Sequence, residues 1–344
     1  MRFARVSFPG LVLLVFASAL ATATAQDPTL RFGGEIPPEV DEIYERGLSW
    51  LAENQEEAGS WPGGQTGPGV DGLCVMAFLA SGEDPNFGRW TLNIRKALRH
   101  IILAQDETTG YIPNSMYHHG FAMLALSEAS GVVDELALWQ GAETRGRSIA
   151  QAIDLAVGCA ATAQKKNRWG GWRYSPDASD ADTSVSGAVL MGLLAARNAG
   201  MHVPDETVDA ALEYMRRSTG RDGSVAYAGG LGGMGESMNR SCIAALVAAV
   251  SKQKDEEKFP ATVKHITSRL EHRESGYLEY FRYYMAQALY QTDYEAWQKW
   301  NVMTVRILDE TQAEDGSFGR SAYSTAMSLL TLALNYRFLP IYER

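Results

Sequence analysis

Arg46-Gly47-Leu48-Ser49-Trp50-Leu51-Ala52-Glu53-Asn54-Gln55-Glu56-Glu57-Ala58-Gly59-Ser60-Trp61 decides the fold, because its pattern returns along the chain. A helical run ends at Gln55, and a Gly and an aromatic residue follow closely. The same grammar recurs as Lys96-Ala97, Ile101, Gln105 and Gly110-Tyr111, then as Gln164, Gly170 and Trp172, and finally as Gln312, Gly316 and Phe318. Degenerate copies around Thr219–Gly223 and His272-Gly276-Tyr277 bring the repeats to six. Their glycines follow one another at about 40 to 60 residues, the period of solenoid and toroid units.

Each copy joins two kinds of helix. The first, as in Asp41–Asn54 or Asp205–Arg217, is amphipathic with mixed charge and belongs on an outer surface. The second is apolar nearly all round, as in Gly72–Ala80, Ser186–Ala196, Cys242–Val250 and Ala326–Leu334, and belongs inside. Alternation of six such pairs predicts concentric rings, an all-α single α/α toroid, or (α/α)6 barrel, of about twelve helices. The toroid domain takes residues 40–344, after a leader arm at 26–39 that holds Gly33-Gly34 and Pro37-Pro38.

The first copy resembles the QW motif of squalene–hopene cyclases, and the six-unit plan is similar to the terpenoid cyclase and protein prenyltransferase toroids. The resemblance implies that Gln bridges backbone groups at the helix end while the aromatic packs on the neighbouring repeat. That role identifies a fold and assigns no chemistry. It also implies that the turns from outer to inner helices converge on the mouth of a central cavity.

The longest of these turns reads Arg168-Trp169-Gly170-Gly171-Trp172-Arg173-Tyr174, followed by Asp177, Asp180, Asp182, Thr183 and Ser184. It resembles the DxDD motif of class II cyclases, whose middle aspartate is the general acid. On that resemblance Asp180 matches the first position and Asp182 the catalytic one, while Thr183 stands in place of the last aspartate. The competing reading is structural: Asp at a helix start is a preferred N-cap, and the helix N-terminus favours its ionised form. Tyr117-His118-His119 opens another inner helix, Gly120–Ala129, and only one of two adjacent helical residues can face a cavity squarely. Tyr280 and Tyr284 belong to an aromatic run, Tyr277–Tyr284, able to stabilise a cation or to fill a narrowing core. Ligand-contact candidates are therefore Trp169, Trp172, Tyr117, His118, His119, Tyr280 and Tyr284, with Asp71, Glu236, Asn239 and Tyr323 at equivalent mouth positions. Prenyltransferase β subunits bind zinc through Asp, Cys and His, and their Asp-x-Cys is missing here. No metal or other cofactor is expected.

Composition bounds the rest. With 46% apolar and 21% charged residues among 344, the chain is globular, and 41 acidic against 31 basic side chains give a net charge of −10. A basic footprint for nucleic acid is absent. Arg2 and Arg5, the apolar run Leu11–Leu20 and Ala23-Thr24-Ala25 read as a cleaved signal peptide over residues 1–25, which implies a secreted or periplasmic protein. No later run is long and apolar enough for a stable membrane span. Cys74, Cys159 and Cys242 are odd in number and lie in apolar helical contexts, as buried free thiols do.

Three functions stay open at this stage, and the favoured one is an exported protein of the terpenoid cyclase/prenyltransferase fold that acts on or binds an isoprenoid or other apolar ligand in the central cavity. One is an isoprenoid cyclase or prenyltransferase-like enzyme with Asp182 as acid and a dry apolar cavity. A second is a carbohydrate-active toroid with Trp61, Trp169 and Trp172 as sugar platforms and two of Asp71, Asp180, Asp182 and Glu236 as acid and base. The third is a noncatalytic scaffold that binds an apolar small molecule or a peptide at the mouth.

Overall fold

The computed structural model describes residues 36–142, 144–228 and 237–342. The signal peptide, most of the leader arm, Glu236 and the Gly229–Gly235 run lie outside the described residues. Ile36–Arg344 forms one compact unit. Six outer helices, α1 (Pro38–Glu53), α3 (Thr91–Ala104), α6 (Ile149–Gln164), α8 (Asp205–Ser218), α10 (Phe259–Thr267) and α12 (Tyr294–Thr311), alternate with six inner ones. The inner set is α2 (Pro68–Ala80), α4 (Met116–Ala129), α7 (Thr183–Asn198), α9 (Met238–Val250), α11 (Leu278–Thr292) and α13 (Ala322–Leu332). A thirteenth, single-turn helix, α5 (Glu135–Leu138), lies between α4 and α6 and starts where Asp134 caps Leu136 and Ala137.

The inner helices pack in order, α2 on α4, α4 on α7, α7 on α9, α9 on α11 and α11 on α13, and α13 returns to α2. The ring is closed. Each outer helix lies chiefly against the inner helix before it, and α1 lies against α13. Burial follows the patterning: every residue of α2 is buried, whereas α1 buries only Val40, Ile43, Tyr44, Gly47, Leu48 and Leu51 at helical spacing. Inner helices begin up to four residues earlier than their apolar stretches predict. Their first turns carry polar residues that satisfy the free N–H groups, as Ser115, Asp182 and Ser321 do.

The repeat turn is a fastener between neighbours. Gln55 Nε2 donates to the carbonyl of Gly59 at 3.0 Å and to that of Asn93 on the next outer helix at 3.0 Å. Gln105 spans Gly110 and Ala152, Gln164 spans Gly170 and Thr207, and Gln312 spans Gly316 and Ile43 in the same way. That last pair of bonds joins the final repeat to the first. Glycine is required at the turn on two counts. Gly110 has φ +73°, and a Cβ there would lie 2.1 Å from the Leu155 carbonyl oxygen; Gly316 has φ +88° and would meet Arg46 O at 2.3 Å.

Two seams depart from this plan, those on either side of α10, where Thr219 and His272 stand at the Gln position. Between α8 and α10 the Gln position is Thr219, whose hydroxyl turns back to Met215 O. Lys258 Nζ reaches Arg216 O and Thr219 O instead. A recess of about 280 Å³ opens there, floored by Leu212, Met215, Val247 and Phe259.

Candidate functional site at the toroid mouth

The outer-to-inner turns lie at one end of the ring, and the axis below them is filled. Tyr117 and Phe121 of α4 meet Tyr280 and Tyr283 of α11, the helix diametrically opposite, at ring separations of 5.7 and 6.1 Å. Tyr280 and Tyr284 pack edge to face at 4.7 Å, as do Tyr283 and Tyr284 at 4.9 Å. Burial pushes the phenols of Tyr117, Tyr280 and Tyr284 well above their ordinary range. They stay neutral and close the axis. At the far end Ile341 is fully buried, and its N–H donates to the Glu128 carboxylate at the base of α4.

Asp182 caps α7. Its Oδ1 accepts from the N–H groups of Ser184 at 2.7 Å and Val185 at 3.0 Å, and the residue is fully buried. Residues 225–228 cross above it: Thr183 N–H donates to Tyr227 O, Thr183 Oγ1 donates to Ala226 O, and Asp182 and Ala228 form an isolated β-bridge. Among the described residues Asp182 Oδ2 has no hydrogen-bond partner within contact geometry. Burial first, and then the Asp182 carboxylate, raise the Tyr227 phenol, so it stays protonated. The Tyr227 ring lies between the guanidiniums of Arg173 at 5.7 Å and Arg240 at 5.5 Å. Asp180 is half-exposed and accepts from Arg173 Nη1 at 2.8 Å. The two aspartates thus have different partners and different depths.

The remaining candidates are distributed. Trp172 is buried, and its indole N–H donates to Ala160 O at 2.8 Å, the fastening role of its repeat position. Trp61 does the same to Leu51 O at 2.7 Å. Neither offers a face to a ligand, which corrects their reading as platforms. Trp169 is half-buried under the Arg168 guanidinium, 5.2 Å from the ring. His118 is half-buried and accepts from Gly69 N–H at 3.2 Å. His119 faces the outer ring rather than the axis: Nδ1 accepts from Ile112 N–H at 3.1 Å, and Nε2 donates to Ala156 O at 3.0 Å. Asp71 also turns outward, pairing with His100 Nδ1 on α3 at 2.9 Å, and so leaves the proposed polar ring. Asn239 and Tyr323 are buried at the inner-helix starts. Sequence reasoning missed Tyr227, Arg240 and His100, which no local spacing marks.

His119 carries a pH dependence. Burial holds its imidazole down at about 4, against 6.5 for the unfolded residue. Between these values the unfolded chain binds a proton that the folded one refuses. The neutral ring therefore contributes about 3 kcal/mol, complete above pH 6.5 and lost as pH falls to 4. Melting curves at pH 7 and 4 should show this loss in the wild type and a much shallower one in His119→Gln; equal acid slopes would overturn the assignment.

No protein-family profile and no curated protein sequence matches the chain. Solved structures do. Type II terpene cyclase MstE from Scytonema, in complex with geranylgeranyl dihydroxybenzoate, is 14% identical with a TM-score of 0.59 over 88% of this chain and 98% of that one. The GH76A α-1,6-mannanase of Salegentibacter sp., in an inactive variant holding α-1,6-mannotriose, is 10% identical with a TM-score of 0.60 over 86% and 98%. A GH76 α-mannanase of Bacteroides thetaiotaomicron is 11% identical with a TM-score of 0.58 over 90% and 99%. At such identities the likeness is one of fold: the chain has an (α/α)6 toroid, the architecture shared by this terpene cyclase and these mannanases.

Proposed function

We propose that this chain is an exported, noncatalytic toroid that binds an apolar or peptide ligand at its mouth. The observation that carries the reading is the aromatic contact across the axis, Tyr117 with Tyr280 and Phe121 with Tyr283. An isoprenoid folded for cyclisation needs an apolar chamber in that place, and binding pockets for such ligands run to about 300–1,000 Å³. The buried cap made by Asp182 supports the same reading, since its Oδ1 is committed to two backbone N–H groups.

Asp182→Asn tests it. An amide oxygen caps about as well as a carboxylate, so stability should stay within about 1 kcal/mol of the wild type. Squalene and geranylgeranyl dihydroxybenzoate should pass through both proteins unchanged. Turnover by the wild type that falls about 100-fold or more in the folded Asn variant would overturn the reading and make Asp182 a general acid.

The carbohydrate reading keeps one specific support. Tyr174 is 51% exposed and follows Arg173, which pairs with Asp180. It requires release of reducing ends from α-1,6-mannan that depends on Asp180 or Asp182.

A further inference from the structure

At the end of the toroid opposite the mouth, α1, the turn after α2 and the start of α3 enclose a cup of about 390 Å³. Its floor is aromatic, made by Tyr44, Trp90 and Tyr336, each at least nine-tenths buried. Its rim is acidic, with Asp41, Glu42, Glu45 and Glu83 around a single basic residue, Arg89. The cup's handling of a cation is visible in that residue. The Arg89 guanidinium lies 4.3 Å from the Trp90 ring centroid, pairs with Glu45 and comes within 3.7 Å of Glu83. One guanidinium against four carboxylates leaves a surplus of negative charge.

The surroundings narrow the occupant. Next to the cup, Phe87 is 91% exposed and Phe338 is 45% exposed, with the Phe338 ring laid on Gly82, the neighbour of Glu83. A simple amine would answer the carboxylates alone. A polypeptide would bring the cation and an apolar neighbour together.

We propose that this cup receives a basic side chain of another polypeptide, an Arg or Lys flanked by an apolar residue. The cation lies among Glu42, Glu45 and Glu83 against the aromatic floor, in the manner Arg89 already adopts, and the apolar neighbour rests on Phe87 and Phe338. Arg89 is then a resident competitor. Its removal should strengthen binding, whereas removal of a rim carboxylate should weaken it.

The test uses the mature chain and a fluorescein-labelled peptide of alternating Arg and Leu, read by anisotropy, with far-UV circular dichroism to establish that each variant is folded. Glu45→Gln and Glu83→Gln should each weaken binding about tenfold, and Arg89→Gln should tighten it severalfold. Glu83 is on the exposed rim, so its variant remains informative if Glu45→Gln does not fold. Arg306→Gln, on exposed α12, changes the net charge as Arg89→Gln does and should leave affinity within about twofold. Equal effects of Arg306→Gln and Arg89→Gln would reduce the attraction to bulk charge and overturn the site. Spermidine competing as well as the unlabelled peptide would overturn a polypeptide occupant, and so would failure of the peptide to bind. Asp182→Asn should bind the peptide normally, which keeps this outcome separate from the mouth reading.

Discussion

A chain ending at Asp293, without α12 and α13, is expected not to accumulate as a soluble monomer. The missing pair is the piece that closes the ring: α13 packs on both α11 and α2, and Gln312 Nε2 ties the last repeat to Ile43 O at 2.9 Å. Without it Val40, Ile43, Tyr44 and Leu48 of α1 lose their cover, including Tyr336, whose ring lies 4.8 Å from that of Tyr44. Leu329, packed on Gly47, goes as well. The inner faces of α2 and α11 would meet water along their length. Contiguous apolar surface on that scale drives association. Size-exclusion chromatography with light scattering after expression decides the matter, and a stable, monodisperse truncation would mean that an open solenoid suffices.

The second large effect is expected at Trp61. Trp61→Ala should lower stability by about 3 to 5 kcal/mol, the usual cost of truncating a large buried side chain. Two losses combine. The indole is 1% exposed, so its removal leaves a void next to α1. Its N–H also satisfies Leu51 O at 2.7 Å, one of the terminal carbonyls of α1 that has no partner within the helix. Because Trp61 lies behind the inner ring, a ligand held by the folded fraction at the mouth should bind almost as before. Calorimetric melting beside a binding titration separates the two roles. Unchanged melting with abolished binding would make Trp61 a platform after all.

The architecture was legible because its fastener is local and repeated. Gln55, Gly59 and Trp61 act within one turn, through backbone carbonyls and positive φ, so their spacing survives in the residues themselves. Inner-helix starts were less legible, since polar caps such as Ser115 interrupt the apolar run that marks a buried helix. The α5 turn left no periodic trace at all. At the mouth the limit was of another kind. Asp182 could be placed at a helix start from its position, but its burial depends on residues 225–228 crossing over it, a contact more than 40 residues away in sequence. Asp71 was legible as a carboxylate at a mouth position, and His100, which turns it outward, was not. The aromatic positions on α11 were visible as a group, whereas their meeting with α4 across the axis belongs to the closed ring and to no segment of it.

The uneven seam between α8 and α10 has a mechanical consequence. A closed ring behaves as a hoop whose joints bear tension in series, so it is only as tight as its slackest joint. Of the six joints four are clamped by a glutamine gripping two carbonyls; of the two that flank α10, the one beside Thr219 relies on a lysine reaching backwards and the other has no glutamine at all. Thermal strain that the glutamine joints refuse is passed along to these two. When the hoop breathes, α10 swings first, and α9 is the inner stave that solvent touches before any other.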